Sequence, residues 1–470
     1  MRVDICYVVS HGFALRMLVQ TNLIGLLLER GLKVAIVSLN PEDQNFDVFR
    51  ENPGISLIQW KESTGIWDDN YLFKRAYFLE DIDANTALKE KFYNSLFFSK
   101  SKHPWKRIRP LWYYTIYRLI RVFPGIRQRF LNSESKHLES AEADAIISRL
   151  NPRLLVSTYP VSIIEAKMLW AAKKHKVRTV LQMLSWDNIT TKGRFPVLAD
   201  HFLAWGPVMQ RELMEYYNLD ENEITVTGVP HFDLHVQVRE GEVNPEALPS
   251  PRPFQGKAYL FFAMSSPRFA PREIDIVEWL AKAVQEGKFG EEVHLVVRPH
   301  PQNVQTFMAK TSWLKRLEAL EGEKVIVDYP SLNDSQIRWS MQKKDMLALS
   351  QLLSGCSLCL NSGSTVSLDA LQHHKPVILT SFDGKARLNY WNSARRLVDY
   401  THLKQLCDMG GARITRSYAS LEEAIRFFLS DPNHALEQRK SVLYNQCYQD
   451  DGKATARAVE VLVKQWEATA

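Results

Sequence analysis

The sequence has 470 residues, a net charge of +6 and a pI of about 8.8. A single hydrophobic core rarely grows beyond about 250–300 residues, so this length predicts two domains. Hydrophobic residues make up 45% of the chain and charged residues 24%, which is the balance of a soluble globular protein. The mild positive charge excludes a dedicated nucleic-acid binder, and it suits an anionic small substrate or a membrane surface.

Cysteine usage and the absence of long apolar runs favour a cytoplasmic protein. An odd and sparse set of cysteines does not make a disulfide framework and favours a reducing compartment. The set is Cys6, Cys356, Cys359, Cys407 and Cys447. Asp4 interrupts the apolar run that a secretory signal would need, so the first ten residues predict a first strand instead. The sequence also lacks the run of about 18 apolar residues that a transmembrane helix needs.

Apolar runs alternate with helical patterns over the first half of the chain. The first run predicts a buried parallel strand, the pattern after it predicts a helix that ends before Gly31, and two more strands follow. These elements are predicted at 5–9, 17–28, 33–39 and 55–60. The same alternation returns further on, with strands at 153–158, 177–184, 201–205 and 224–229 and a helix at 161–174. This order is typical of a doubly wound sheet, so we predict a Rossmann-like N-terminal domain over 1–235.

A helical insertion is predicted at about 77–135. Within it, residues 103–129, here called the basic aromatic segment, combine Lys and Arg with Trp, Tyr and Phe. Two interpretations stay open. The segment is either a pair of core helices with a solvated basic face, or a docking surface for an anionic membrane or a lipid-linked acceptor, because basic and aromatic side chains suit the headgroup level. The second interpretation would place the protein on the inner face of the membrane.

A second Rossmann-like domain is predicted at 258–450, after a linker at 236–257 that is rich in Pro and charge. The alternation restarts there, with strands at 259–264, 293–297, 325–327, 358–360 and 376–380, and with helices at 274–286, after Asp345 and from Thr365. The chain then ends in an amphipathic helix within 451–470, which we expect to cross back to the N-terminal domain.

The strongest chemical signal is the run Asn-Ser-Gly-Ser-Thr at 361–365, which follows a buried strand and opens a helix. Gly363 lets the backbone approach a ligand, the hydroxyls of Ser362, Ser364 and Thr365 add donors, and a helix N-terminus offers N–H groups to a phosphate. Asp369 lies one turn further on, where a carboxylate accepts from both hydroxyls of a ribose. A simple helix cap is the alternative, but a cap does not require glycine and several hydroxyls together.

Two other loops of the second domain carry candidate phosphate ligands. Arg298 and His300 follow the strand at 293–297 in the run Arg-Pro-His-Pro, and ligands of open α/β sheets bind beyond the carboxyl ends of strands. There the arginine neutralises phosphate and the histidine donates a proton to it. Ser265 and Ser266 follow the first strand of the domain and are further candidates. A packing histidine is the alternative for His300.

The first domain offers two candidate general bases. His11 follows the first strand in Ser-His-Gly, and histidine has the pKa near neutrality that deprotonation of an acceptor hydroxyl requires. Asp187 follows the strand at 177–184 in Ser-Trp-Asp-Asn and is the rival base. A helix-start histidine and an Asx-turn are the structural alternatives. The pair Asp81 and Asp83 imitates an Asp-x-Asp metal motif but lies in an acidic helical stretch, so we predict no metal site.

These motifs together resemble the GT-B glycosyltransferase superfamily over nearly the whole chain. Residues 227–230 with Asp233 look like the segment that ends the first domain of many members. Residues 362–378 look like their donor-binding loop, helix and strand. The Arg-Pro-His-Pro run at 298–301 is similar to a motif of CDP-glycerol glycerophosphotransferases and of bacterial sialyl- and Kdo-transferases, in which the histidine contacts donor phosphate. His11 matches the base of inverting members that have an early His-Gly.

The resemblance implies a GT-B fold, with two Rossmann-like domains facing a central cleft, and a bacterial envelope or capsule enzyme that is independent of metals and cofactors. It would move a sugar or a polyol-phosphate from a CDP-, CMP- or UDP-linked donor to a polysaccharide or a lipid-linked acceptor. The donor would bind the second domain, with Asp369 at its ribose, and the acceptor would bind the first, with His11 or Asp187 as base. Two alternatives stay open: a hydrolysing nucleotide-sugar epimerase of the same fold, and an inactive binding protein.

Overall fold

The computed structural model describes residues 2–62, 123–159, 161–243, 256–304, 313–331 and 341–469, with Phe254 and isolated positions between 86 and 122. In this part of the chain, thirteen strands form two separate sheets. All strand pairs within both sheets are parallel. The two-domain α/β architecture predicted from the sequence is confirmed.

The first sheet has seven strands in the order β3-β2-β1-β4-β5-β6-β7. They are β1 (Ile5–Val9), β2 (Val34–Ser38), β3 (Ile55–Gln59), β4 (Leu154–Ser157), β5 (Arg178–Gln182), β6 (His201–Ala204) and β7 (Ile224–Val226). The strand order reverses between β1 and β4, and ligands of such sheets bind at that point. The loops that follow β1 and β4 therefore open onto the expected site.

The second sheet has six strands in the order β10-β9-β8-β11-β12-β13. They are β8 (Tyr259–Ala263), β9 (His294–Arg298), β10 (Val325–Val327), β11 (Leu358–Asn361), β12 (Val377–Thr380) and β13 (Arg413–Thr415). The order reverses between β8 and β11. Ser265 follows β8 and the 361–365 loop follows β11, so both motifs lie at the reversal.

Helices cover the faces of both sheets, which is why the strands are nearly continuous apolar runs. In the first half of the chain they are α1 (Gly12–Leu18), α2 (Leu23–Glu29), α3 (Pro124–Lys136), α4 (Ala141–Leu150), α5 (Ile163–Lys174), α6 (Asn188–Thr191), α7 (Pro207–Tyr217) and α8 (Asp233–Arg239). In the second half they are α9 (Glu273–Gln285), α10 (Pro301–Val304), α11 (Leu314–Glu318), α12 (Lys343–Gly355), α13 (Val366–Gln372), α14 (Thr401–Asp408), α15 (Tyr418–Ser430), α16 (Leu436–Cys447) and α17 (Ala454–Glu467).

The single helix predicted at 17–28 is wrong, because the structure contains α1 and α2 with a break between them. The hydroxyl of Thr21 donates to the carbonyl of Met17 and accepts from the N–H of Leu23 at 3.2 Å. Short polar side chains that bond the local backbone compete with helix continuation. Since α1 starts directly after β1, the break leaves a short helix whose first residues face the cleft.

The last helix, α17, packs on the first domain. Its buried residues Ala458, Val459 and Leu462 join the core formed by β1 and β2. The guanidinium of Arg153 stacks on the ring of Trp466, with 4.3 Å between the guanidinium carbon and the ring centroid. The chain therefore begins and ends on the same sheet, after passing through the second.

Much of the predicted insertion and of the predicted linker lies outside the described residues. The described positions between 104 and 122 are helical, and α3 follows them. Within the described parts of the chain, no helix is both long enough and apolar enough to cross a membrane.

Candidate active site

Two adjoining cavities open between the carboxyl edges of the two sheets. The first has a volume of about 380 Å³ and the second about 260 Å³. They share a wall formed by Phe13, Leu184, Ser185, His300, Ser364 and Thr365. Most of the predicted site residues lie there, since His11, Asp187, Ser265, Ser266 and Gly363 line the first cavity and Arg298 and Asp369 line the second.

The 361–365 loop is held by the side chain of its first residue. The side-chain Oδ1 of Asn361 accepts from the backbone N–H of Gly363 at 2.8 Å and from that of Ser364 at 3.0 Å. Gly363 has a φ of +112°, and a Cβ there would lie 2.8 Å from Leu403. Glycine is therefore required for both backbone conformation and space. The loop turns sharply and presents Ser364 and Thr365 to both cavities.

Ser362 does not line either cavity, although it was a predicted phosphate ligand. Its side chain is buried, and its hydroxyl lies 2.8 Å from that of Thr380 on β12. Strand alternation turns this residue inward, because it continues β11 directly. In this structure Ser362 links two strands, and Ser364 and Thr365 are the hydroxyl residues of the loop that line the cleft.

His300 lies on the wall between the cavities and lines both of them. Its Nδ1 accepts from the backbone N–H of Gln302 at 3.2 Å, so the neutral ring carries its proton on Nε2. Burial lowers the pKa of His300 to about 4, and the ring is therefore neutral near pH 7. A neutral, oriented Nε2–H donates a hydrogen bond to an anionic oxygen without requiring a counter-charge.

Arg298 is bound by two carboxylates of its own domain. Its Nη2 donates to Asp345 at 2.7 Å, and its Nη1 donates to Asp328. Burial opposes the charge of Arg298, but the two carboxylates outweigh it and raise its pKa. The side chain was predicted to bind phosphate; the structure shows it in a buried ion pair that joins the end of β9 to the start of α12.

The serines after β8 are tied to neighbouring elements. The N–H of Ser265 donates to Glu273 at 2.6 Å, and the hydroxyl of Ser266 donates to the amide oxygen of Gln302. Burial raises the pKa of Glu273 to about 7 despite its hydrogen bonds. Ser266 and Gln302 therefore couple the loop after β8 to the loop that holds His300.

Asp369, the predicted ribose ligand, is partly engaged by a histidine of the first domain. Its Oδ1 lies 3.0 Å from Nε2 of His235 on α8, which is fully buried. The Nδ1 of His235 lies 3.1 Å from Ser350 and 3.2 Å from His373. This polar cluster fixes α13 against the segment that ends the first domain.

His11 is the N-cap of α1. Its Nδ1 accepts from the backbone N–H of Phe13 at 3.2 Å, so the neutral form of the ring carries its proton on Nε2. The ring packs at 4.9 Å from that of Tyr159, which follows β4. His11 and His300 thus have the same arrangement, one on each domain, and each caps its own loop through Nδ1.

Asp187 is held as an ionised carboxylate. Its Oδ1 accepts from the hydroxyl of Ser185 at 2.6 Å, its Oδ2 accepts from that of Thr191 at 2.8 Å, and Lys192 Nζ lies 3.7 Å away. Burial acts to raise the pKa of Asp187, but Lys192 and the hydroxyl donors outweigh it and bring the pKa to about 2. The carboxylate is therefore charged at any physiological pH.

A buried glutamate organises the loops on either side of the first reversal point. Glu165 on α5 accepts from the backbone N–H groups of Ser10, Thr158 and Tyr159 at 3.1, 2.9 and 2.8 Å. It also accepts from the hydroxyls of Ser10 and Ser157 at 2.7 and 2.6 Å. Burial raises the pKa of Glu165, although these donors oppose the shift. One carboxylate therefore positions the loops that carry His11 and Tyr159.

Sequence reasoning missed several residues that line the cavities. Tyr159 follows β4, so the position of strand ends could have identified it. His402, Tyr400, Leu397 and Leu403 come from the irregular region before and within α14, which has no sequence pattern. Arg16 and His231 reach the second cavity from the first domain, and their positions follow only from the packing of the two domains.

Known structures identify the architecture. A UDP-N-acetylglucosamine 2-epimerase from Neisseria meningitidis, solved with UDP-GlcNAc bound, aligns over 99% of this chain and 100% of its own, with a TM-score of 0.55 and 14% identity. A putative enzyme of the same kind from Listeria monocytogenes aligns over 100% and 98%, with a TM-score of 0.55 and 12% identity. The calicheamicin glycosyltransferase CalG4 aligns over all of both chains, with a TM-score of 0.50 and 13% identity. The fold is GT-B.

Sequence comparison adds nothing to this GT-B assignment, since neither a protein-family model nor a curated protein matches the chain. Among the described residues, no group of three or more His, Cys, Asp or Glu side chains is arranged to hold a metal ion. Asp81 and Asp83 lie outside those residues.

Proposed function

We propose that this protein is a glycosyltransferase that moves a sugar or a polyol-phosphate from a nucleotide-activated donor to an envelope or capsule polysaccharide, or to a lipid-linked acceptor. One observation carries the proposal. The two cavities meet at a wall to which His300, whose ring is neutral, and the hydroxyl residues Ser364 and Thr365 all contribute. Such a wall suits a diphosphate that joins a nucleoside on one side to a transferable group on the other.

The second cavity suits the nucleoside. It is lined by Trp205, Met341 and Leu349, which offer apolar contact, and by Asp369, which offers a carboxylate to a ribose. The first cavity is larger and combines Trp186 and Tyr159 with polar groups of both domains. We place the transferred group and the acceptor in this first cavity. The likeness to the Neisseria and calicheamicin enzymes is one of fold, so this placement rests on the lining residues.

Fixed hydrogen-bond donors would stabilise the leaving phosphate. His300 contributes Nε2–H, and Ser364 and Thr365 contribute hydroxyls, all of them pre-positioned by the loop contacts described above. Arg298 is assigned a positioning role because its donors already bind Asp328 and Asp345. Lys192 and Arg268, which line the first cavity, are the cations that can approach a phosphate from the open side.

Of the two candidate bases, the geometry supports Asp187. In its neutral form the His11 ring has its proton on Nε2, so Nδ1 would have to release the N–H of Phe13 before it could accept a proton. The ionised Asp187 carboxylate has no proton to lose before it accepts one from an acceptor hydroxyl. Its pKa of about 2 makes it a weak base, so the acceptor O–H would transfer its proton late, as the bond to the donor forms.

A pH–rate profile separates these two bases. A base with histidine's ordinary pKa of roughly 6.5 would produce a loss of kcat/KM below that pH. Asp187 would remain active as a base down to the acid limit of folding. An acidic limb near 6.5 that disappears in His11→Gln would restore His11 as the base.

The epimerase is the second candidate, because the similar structures include the Neisseria 2-epimerase and the putative 2-epimerase from Listeria. The two reactions differ in their need for an acceptor. The test incubates the purified protein with a panel of nucleotide-sugars, with and without lipid-linked or glycan acceptors, and follows nucleotide release and the stereochemistry of the sugar. A transferase releases nucleotide and extends the acceptor only when the acceptor is present.

Epimerised sugar in the absence of acceptor would replace the transferase proposal by the epimerase. The inactive alternative is tested with His300→Ala and the surface control His434→Ala, whose side chain is 52% exposed. Loss of turnover in His300→Ala alone supports the enzyme. Equal cellular function of both variants, with no turnover in either, would support a binding protein.

A further inference from the structure

The basic aromatic segment carries an unusual concentration of exposed apolar side chains. Fourteen large hydrophobic residues are exposed in the described part of the chain, and eight of them lie between 105 and 126. They are Trp105, Ile108, Leu111, Trp112, Leu119, Val122, Phe123 and Ile126, each 48–69% exposed. Exposed apolar patches of this density mark contact surfaces, whereas single exposed residues do not.

The spacing of these residues places many of them on one helical face. Described helical positions recur at 108, 111, 115, 119, 122 and 126, which are steps of three or four residues. The hydroxyl of Thr115 donates to the carbonyl of Leu111 at 3.0 Å, as expected within a helix. Leu119 and Val122 therefore lie on the same helical face as Ile108 and Leu111, and the extended Phe123 separates them from α3, where Ile126 is also exposed.

The charge of the segment selects the partner. Residues 103–129 contain seven Lys and Arg and no Asp or Glu. Two copies of this surface would repel each other, which disfavours a symmetric dimer. A polyanion such as nucleic acid would leave the aliphatic side chains exposed. An apolar stripe with Trp and flanking cations matches the interface of an anionic lipid bilayer, where the rings lie at headgroup level and the cations meet lipid phosphates.

Described residues on both sides of the segment in the chain lie at or near the proposed active site. Ala87 and Glu90, which precede the segment, line the first cavity. Glu134 on α3, which ends the same region, is buried and pairs with Arg194, two residues from Lys192 of that cavity. A bilayer bound at the segment would thus meet the protein next to the opening where the acceptor enters.

We propose that the basic aromatic segment docks this protein reversibly on an anionic membrane surface, so that a membrane-borne acceptor reaches the first cavity. The delivery of acceptor rests on the proposed function. The docking itself does not depend on that function. Its test uses neither donor nor acceptor, so that failure of one proposal leaves the other standing.

The experiment is sedimentation of the full-length protein with vesicles of phosphatidylcholine alone and of phosphatidylcholine with phosphatidylglycerol. We expect binding to the anionic vesicles only, weakened by added salt because exposed charges are screened. Each removed cation should lower the partition coefficient about fivefold, so Arg107→Gln with Arg129→Gln should lower it roughly 25-fold. Trp105→Ser with Trp112→Ser should also reduce binding, whereas Val48→Ser, an equally exposed residue elsewhere, should not.

Four results would overturn the docking proposal. The first three are equal binding to neutral and anionic vesicles, no binding to either, and a loss of binding in Val48→Ser equal to that in the double tryptophan variant. A fourth is self-association: a wild-type dimer in sedimentation velocity that becomes a monomer in the double tryptophan variant would assign the surface to a second copy. Matching thermal transitions for all variants would show that the changes act on binding and not on folding.

Discussion

Replacement of Glu165 by glutamine tests how the first domain holds its catalytic loops. The carboxylate is fully buried and accepts from three backbone N–H groups and from the hydroxyls of Ser10, Ser157 and, at 3.5 Å, Thr158. A glutamine keeps the shape but replaces one oxygen by an NH₂ group. Because an NH₂ group is a donor, it cannot accept a hydrogen bond from a backbone N–H, and an N–H that faces it is left without a partner.

The geometry determines which bond is lost. One oxygen accepts from two backbone N–H groups, Thr158 and Tyr159, and the other accepts from one, Ser10. The amide should therefore direct its NH₂ toward Ser10, whose hydroxyl can rotate to accept while its N–H cannot. One orphaned buried N–H costs about 1–3 kcal/mol, and the remaining bonds are no longer charge-assisted. We expect Glu165→Gln to lower the free energy of unfolding by about 2–4 kcal/mol.

Urea denaturation followed by fluorescence measures this loss, with Glu437→Gln, whose side chain is 83% exposed, as the matched control. In variants that remain folded, the His11 loop should be misplaced, so acceptor-dependent kcat/KM should also fall. A change below about 1 kcal/mol in Glu165→Gln, or the same loss in the control, would refute the view that this carboxylate organises the two loops.

Three further predictions concern the second domain and pH. Gly363→Ala should cost about 1–3 kcal/mol and weaken nucleotide binding, because a φ of +112° and a close contact with Leu403 both exclude a Cβ; normal binding in a calorimetric titration would contradict this. Arg298→Met should lower the free energy of unfolding by roughly 3–5 kcal/mol, because it leaves Asp345 buried without a counter-charge. Adding Asp345→Asn should recover part of this loss, and equal stability of the single and double variants would argue against the ion pair. Burial raises the pKa of Glu212 from 4.5 to about 8, so between these two pH values the folded state binds more protons than the unfolded state. The free energy of unfolding should therefore fall as the pH rises from about 4.5 through 8, by up to roughly 1.4 kcal/mol per pH unit. Denaturation midpoints at several pH values should show a flatter dependence in Glu212→Gln, and an unchanged slope would place the buried proton elsewhere.

The periodic parts of the fold could be predicted from the sequence because burial imposes them. Strands covered on both faces must be apolar throughout, so the predicted strands at 5–9 and 325–327 match β1 and β10 to the residue. The predicted helix at 17–28 was wrong because the hydroxyl of Thr21 bonds to the backbone where the helix breaks. The spacing of apolar residues carries no information about such a hydrogen bond. β13 was missed because Ile414 is the only apolar residue among its three, Arg413–Thr415, whereas the equally short β10 is Val-Ile-Val.

The site was predictable to the level of loops and not of atoms. Ends of strands place Ser265, His300, Ser364 and Asp187 at the cleft, as the parallel topology requires. The direction of each side chain depends on partners far away in sequence. Arg298 turns to Asp328 and Asp345, and Ser362 turns to Thr380, for reasons that only the folded chain contains. The neutral tautomers of His11 and His300 likewise follow from the backbone N–H groups of Phe13 and Gln302, which donate to their Nδ1 atoms.

The central claim is that the wall between the two cavities binds the diphosphate of a nucleotide-activated donor. Thermal shift with CMP, CDP, UDP, GDP and ADP, each with and without magnesium, tests it most directly in the wild type and in His300→Ala. A nucleotide at a hundredfold excess over its Kd stabilises the folded state by about 2.7 kcal/mol, so we expect at least one diphosphate to raise the transition temperature, and His300→Ala to reduce that shift. If no nucleotide moves the transition, or if His300→Ala responds as the wild type does, the wall does not bind a donor diphosphate.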